Sequence, residues 1–90
     1  MQFEWDPVKA RTNEQKHAVS FEEAASIFRA EWTFLPDGRR DYGEARFIAL
    51  GRDSNGVLLN VVYTIRGESI RIISAWKASQ HERKAFEKKT

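Results

Sequence analysis

Apolar residues recur at two different spacings along this chain, and each spacing predicts a type of element. Residues 3–6, "FEWD", alternate apolar and acidic side chains, which places Phe3 and Trp5 on one face of a short first strand. Asp6-Pro7 then has the form of an N-cap followed by proline at the first helical position, and a helix runs to about Lys16. That helix carries Val8, Ala10 and little else that is apolar, so it is expected to ride on the surface. "SFEE" at residues 20–23 fits a capping box, with Val19 and Ala24 placed as a hydrophobic staple. Phe21, Ala24, Ala25 and Phe28 fall at helical spacing with Ile27 beside them, predicting a second helix with a core-facing stripe.

The least regular stretch, "TFLPDGRRDYGEA" at residues 33–45, holds Pro36, Asp37-Gly38 and Gly43 and leaves room for a short strand through Phe34. Beyond it the spacing is that of strands. "RFIALGRD" and "VLLNVVYTI" flank "DSNG", whose Asn-Gly tolerates the positive φ of a primed hairpin turn. The second of these runs is nearly continuous in β-formers and is the expected central strand. "RGES" turns the chain, "IRIISAW" returns, and the chain is helical from about Ser79. Strict alternation on the returning strand puts Ile70, Ile72, Ser74 and Trp76 on one face and Arg71, Ile73 and Ala75 on the other. The order β-α-α-β-β-β-α predicts a small α+β domain over residues 1–90, an antiparallel meander with its helices packed on one face.

Composition then narrows the function by exclusion. Hydrophobic residues at 41% and aromatics at 12% suffice for one compact core in 90 residues. No cysteine is present, which excludes disulfide scaffolds and thiolate metal sites, and only His17 and His81 offer imidazoles. Neither a metal site nor a cofactor is expected. The chain has no Walker A loop, no G-x-S-x-G and no H-E-x-x-H. No apolar run reaches the length of a membrane span and no signal-peptide pattern opens the sequence, so the chain reads as cytoplasmic. The net charge of +2 diagnoses nothing alone, but acids concentrate in the first half and bases dominate after Arg46.

Several basic residues could carry chemistry. Lys77, His81, Lys84 and Lys88 fall at helical spacing, a stripe that is either an ordinary solvated face or a phosphate-contacting ridge. Arg71 sits inside an apolar strand, which demands a paired carboxylate or a phosphate to clamp, and Arg46 poses the same choice on a neighbouring strand. Lys16-His17 ends the first helix, where the dipole favours cations, and His17 can also move a proton near neutral pH.

The stretches "FEWDPVKARTNEQKHAVSFEEAASIF", "RFIALG" and "RIISAWKASQHER" together resemble the BrnT toxin family, in the family's order and spacing from about Phe3 to Phe86. The resemblance implies a RelE-like fold and a metal-independent endoribonuclease, the growth-inhibiting toxin of a type II toxin–antitoxin pair. It implies a BrnA-like ribbon-helix-helix antitoxin as partner, through which alone the toxin meets operator DNA. Attack by a ribose 2′-hydroxyl on the adjacent phosphate needs a base, charge stabilisation and an acid. On the resemblance, Arg46 and Arg71 are assigned to phosphate stabilisation and His17 to proton transfer. Lys16, Lys77, His81, Arg83 and Lys84 are assigned to RNA binding, and the general base stays open.

Two positions depart from the family pattern. Glycine usually follows the Lys-His pair, where this chain has Ala18. The family typically reads I-S-A-R-K-A, and Trp76 stands where that arginine would be. The second departure predicts a weakened toxin. Its alternative is a non-catalytic module that binds the antitoxin and acts in operon autorepression, since tryptophan is a frequent interface anchor.

Overall fold

The computed structural model describes residues 1–88, so residues 89 and 90 of the expected domain lie outside it. The elements are β1 (Gln2–Glu4), α1 (Pro7–His17), α2 (Phe21–Ser26), a 3-10 turn (Ile27–Arg29), β2 (Trp32–Pro36), β3 (Phe47–Arg52), β4 (Leu58–Arg66), β5 (Ser69–Lys77) and α3 (Gln80–Lys88). The described strands form one sheet in the order β1-β5-β4-β3-β2, with β4 central as its β-rich sequence predicts. Strands β2 to β5 make the antiparallel meander. β1 pairs in parallel with β5, so the sheet is mixed rather than wholly antiparallel. The reason is the helical pair between β1 and β2, which carries the chain away and lets the N-terminus add to the free edge of β5.

Local signals set the first two helices. Asp6 caps α1 by accepting from the Val8 N–H at 2.8 Å, and Ser20 and Glu23 close the capping box of α2 in both directions. Phe21 and Ala24 of α2, with Ile27 and Phe28 of the 3-10 turn that continues it, pack with Val19 against Ala49, Leu59, Val61, Tyr63, Ile72 and Ala75. Burying side chains such as Phe21 and Ile27 completely is worth about 1.5–3 kcal/mol each. Gly51 is required where the 3-10 turn crosses β3, because a Cβ there would lie 2.9 Å from the Trp32 Cβ.

Helix α3 departs from the expectation of helices on one face. It lies across the opposite face, where Asn60 donates to Glu82 at 3.2 Å and Phe86 is buried. Ser79 and Glu82 form a second reciprocal capping pair at its start, and the Ser79 N–H, against opposing burial, holds the Glu82 carboxyl below its usual range. The hairpin at Asp53–Gly56 forms as its sequence predicts, but only Gly56 takes positive φ, so the turn is not the doubly primed one. The Asp53 side chain accepts from the Asn55 and Val57 N–H groups, stabilising this alternative.

The decisive irregularity is in β5. Register slips between Val62/Ser74 and Tyr63/Ile72, leaving Ile73 as an extra residue. This β-bulge breaks the strict alternation expected on that strand. Ile70, Ile72 and Ala75 face the core, while Ser74 and Trp76 join Arg71 on the second face. One inserted residue therefore moves Ser74 out of the core and onto the face with the basic side chains.

Candidate functional site

Side chains of the 37–46 loop, α1 and α3 line hollows over the second face of the sheet. Backbone pairing of the Asp37 N–H with the Arg46 carbonyl at 2.7 Å closes the neck of the loop and projects its side chains over β4 and β5. A cavity of about 330 Å³ lies there, lined by Arg39, Arg40, Tyr42, Arg46, Val62, Ile73 and Ser74. A second depression of about 240 Å³, lined by Lys16, His17, Thr12, Asn13 and their neighbours, shares Ile73 and Ser74 with it. The bulge thus forms the common floor of two basic hollows.

Each arginine is held differently. Arg46 stacks 4.2 Å from the Tyr42 ring centre and donates to Glu44 at 3.1 Å, with a fifth of its side chain exposed. The Arg40 guanidinium carbon lies 5.9 Å from the same Tyr42 ring centre, and Arg40 makes no ion pair among the described residues. Arg39 grips the fully buried Asp37 carboxylate with Nε at 2.8 Å and Nη2 at 2.9 Å, and its guanidinium carbon lies 5.5 Å from the Trp76 ring. His17 approaches the same indole at 6.2 Å.

The Arg39 side chain, against the opposing effect of burial, holds the Asp37 carboxyl well below the usual carboxylate range, and the Arg39 N–H adds to this. Asp37 in turn raises the Arg39 guanidinium. A lowered folded value means that the pair stabilises the fold above the ordinary aspartate value of about 3.9 and loses that contribution as pH falls below it. Asp37→Asn should therefore melt below the wild-type protein at neutral pH, and the gap should narrow on acidification from pH about 5 to about 2. A gap that stays constant in thermal melts across that range would show that the charge is irrelevant.

α1 reaches the site through one residue. Its only buried side chain is Asn13, whose amide donates to the Val19 and Ala75 carbonyls and accepts from the Ala75 N–H and the Ser74 hydroxyl. The amide continues the β5 edge where β1 stops, and so fixes Lys16 and His17 over Ser74. At the end of this helix Ala18 sits at φ 58°, ψ 32°, a left-handed C-cap. Ala18→Gly should raise stability by about 1 kcal/mol, seen as a Tm increase of about 4–8 °C. An unchanged melt would mean that the position relaxes without strain.

On the far side of Trp76 a third cleft, about 410 Å³ and mostly apolar, runs between α3 and the β2–β3 end of the sheet, with His81 at its rim. Among the described residues, no group of three His, Asp or Glu side chains converges as a metal site. No described helix is long and apolar enough to cross a membrane.

Comparison with known proteins matches residues 5–82 to the family model described as "Ribonuclease toxin, BrnT, of type II toxin-antitoxin system". The chain belongs to the BrnT family. A solved relative is the Brucella abortus ribonuclease toxin BrnT, known from a crystal structure, which this chain matches with a TM-score of 0.70 at 26% identity. The match covers 89% of this chain and 99% of that one. A comparison with curated protein sequences returns no match.

Within this BrnT fold, the residues singled out in the sequence separate into three groups. Arg46, His17 and Lys16 come together around Ser74. Arg71 lines none of the three hollows described above and bonds Glu4 at 2.6 Å, pairing β5 with β1. Lys77 is the last residue of β5, so it does not continue the α3 stripe of His81, Lys84 and Lys88, because α3 starts only at Gln80. Arg83 and Lys84 lie on α3 away from the basic hollows. Arg39 and Arg40, absent from the sequence-based candidates, occupy the centre. A pair of arginines inside an acidic, glycine-containing loop was the available signal.

Proposed function

We propose that this chain is the RNA-cleaving toxin of a toxin–antitoxin pair, acting in the cytoplasm on RNA that lies across the second face of the sheet. The observation that carries this reading is the convergence of Arg39, Arg40 and Arg46 with Lys16 and His17 over the Ser74 floor. Cationic side chains held on a rigid sheet can neutralise a phosphate and the charge that builds up on it, without a metal ion. Arg46 takes the phosphorane oxygens and His17 serves in proton transfer, while the base for the attacking 2′-hydroxyl stays unassigned. The products are a 2′,3′-cyclic phosphate and a free 5′-hydroxyl. Arg71 is assigned to holding β1 on β5.

Neutralisation falls to a BrnA-like ribbon-helix-helix antitoxin, with operator DNA reached only through it. Inducing this chain alone in bacteria should arrest growth and degrade RNA, and co-expressing the neighbouring antitoxin gene should rescue. Normal growth with intact RNA would count against the reading.

Trp76 favours a second reading, an antitoxin-binding module with little or no nuclease activity. It predicts a complex that represses its promoter while the isolated toxin leaves RNA intact. Trp76→Arg separates the two readings. Nuclease activity that appears only in this variant would identify the indole as the cause of a weakened site.

A further inference from the structure

Trp76 presents its ring to a cation that the site already contains. Arg39 reaches it from the 37–46 loop and is restrained on two sides. Asp37, whose side chain has no solvent exposure, holds one edge of the guanidinium in a two-point grip. The indole supports it at 5.5 Å. An arginine fixed by both a carboxylate fork and an aromatic face loses little further rotamer freedom when it binds an anion. More than half of the Arg39 side chain is nonetheless exposed, and it lines the basic cavity beside Arg46 and Ser74. Asp37 takes Nε and Nη2 and Tyr42 is a further hydrogen-bonding neighbour, which together engage only part of the five N–H donors of the guanidinium.

We propose that Arg39 is a further phosphate contact for RNA in this site, and that Trp76 is the positioning residue that holds it there. The inference rests on the reading of this face as the RNA-binding face. An indole can also stack directly on a nucleobase. The geometry favours the platform role, because the arginine already lies against the ring and His17 approaches it at 6.2 Å. The ring already has Arg39 and His17 as neighbours before any RNA arrives.

The test is affinity for a 2′-O-methyl RNA oligonucleotide, which cannot supply the attacking hydroxyl, measured by fluorescence anisotropy at several salt concentrations. Arg39→Ala should weaken binding about tenfold and flatten the logarithmic salt slope by about 0.7, the value for one phosphate contact on a single strand. Trp76→Leu should weaken binding about two- to fivefold, the size of an exposed cation–π contact, and Trp76→Phe should retain most of the affinity. In the Arg39→Ala background, Trp76→Leu should have no further effect. Because Arg39→Ala strands the buried Asp37 carboxylate, the effect of Arg39 is read from Asp37→Asn/Arg39→Ala against Asp37→Asn, with thermal melts to check that each variant is folded.

Full additivity of the two substitutions would overturn the positioning role and identify Trp76 as a base-stacking residue. Arg39→Ala with unchanged affinity and salt slope would overturn the phosphate contact. Absence of binding by the wild-type chain would overturn the proposal outright. A wild-type chain that binds this oligonucleotide but fails to cleave ordinary RNA would sink the nuclease reading alone.

Discussion

Asn13→Leu should destabilise the protein by at least about 3 kcal/mol, enough to remove much of the roughly 5–15 kcal/mol that holds a domain of this size together. Leucine shares the branched side-chain skeleton of asparagine and is bulkier, so overpacking adds to the cost, but the main effect does not depend on a cavity. It comes from the four hydrogen bonds that the amide makes to Val19, Ser74 and both backbone groups of Ala75. Val19 is 2% exposed and Ala75 fully buried, so water cannot replace those partners. Each polar group left unsatisfied and buried costs about 1–3 kcal/mol. Asn13→Asp discriminates further. A carboxylate still accepts from the Ala75 N–H and the Ser74 hydroxyl, but it cannot donate to either carbonyl and brings a charge into a site only 6% exposed. It should therefore be no better than leucine. Chemical denaturation of both variants checks this. A leucine variant with the wild-type midpoint would mean that α1 docks by some other means. Because α1 also carries Lys16 and His17, its loosening should reduce any activity in proportion to the loss of the docked state.

The same residue shows where a sequence stops being legible. The caps of α1 and α2 can be read directly, because Asp6, Ser20 and Glu23 act on N–H groups within three residues of themselves. Asn13 acts across 62 residues, and in the sequence it is one more polar position on a helix with few apolar ones. The bulge at Ile73 is hidden for a related reason. Alternation is a property of an isolated strand, whereas an inserted residue is defined only against its partner β4. Reading β5 without the partner sends Ser74, Ala75 and Trp76 to the wrong faces. The α+β class and the BrnT family were legible because motifs in fixed order do not require the register. The location of the basic site was not legible. Charge counted along the chain draws attention to the second half, yet Arg39 and Arg40 reach the centre from a loop rich in acids, which folding places over β4 and β5.

Two arginines that look equivalent in the sequence should consequently behave in opposite ways. Arg46→Ala should lower the kcat/KM for RNA cleavage by about 10²–10³-fold, the usual consequence of losing a group that meets developing charge. Arg71→Ala should leave cleavage nearly unchanged and reduce stability by no more than about 1 kcal/mol, since its pair with Glu4 is partly open to solvent. Arg46 lines the cavity beside Ser74, whereas Arg71 is engaged at the β1 edge. Arg46→Lys should recover only part of the loss, because an ammonium cannot reproduce a planar fork on phosphate oxygens. Glu44 complicates the alanine variant, since it bonds Arg46 at 3.1 Å and lies 3.5 Å from Arg66. Removing Arg46, which lines the cavity, leaves that neighbouring carboxylate with only the weaker partner Arg66. Glu44→Gln isolates this effect: it frees Arg46 and removes a negative charge, so RNA affinity should rise while the melt stays close to wild type. If Arg46→Ala/Glu44→Gln regained full activity, the loss in the single variant would belong to the exposed carboxylate, and Arg46 would have no direct part in cleavage.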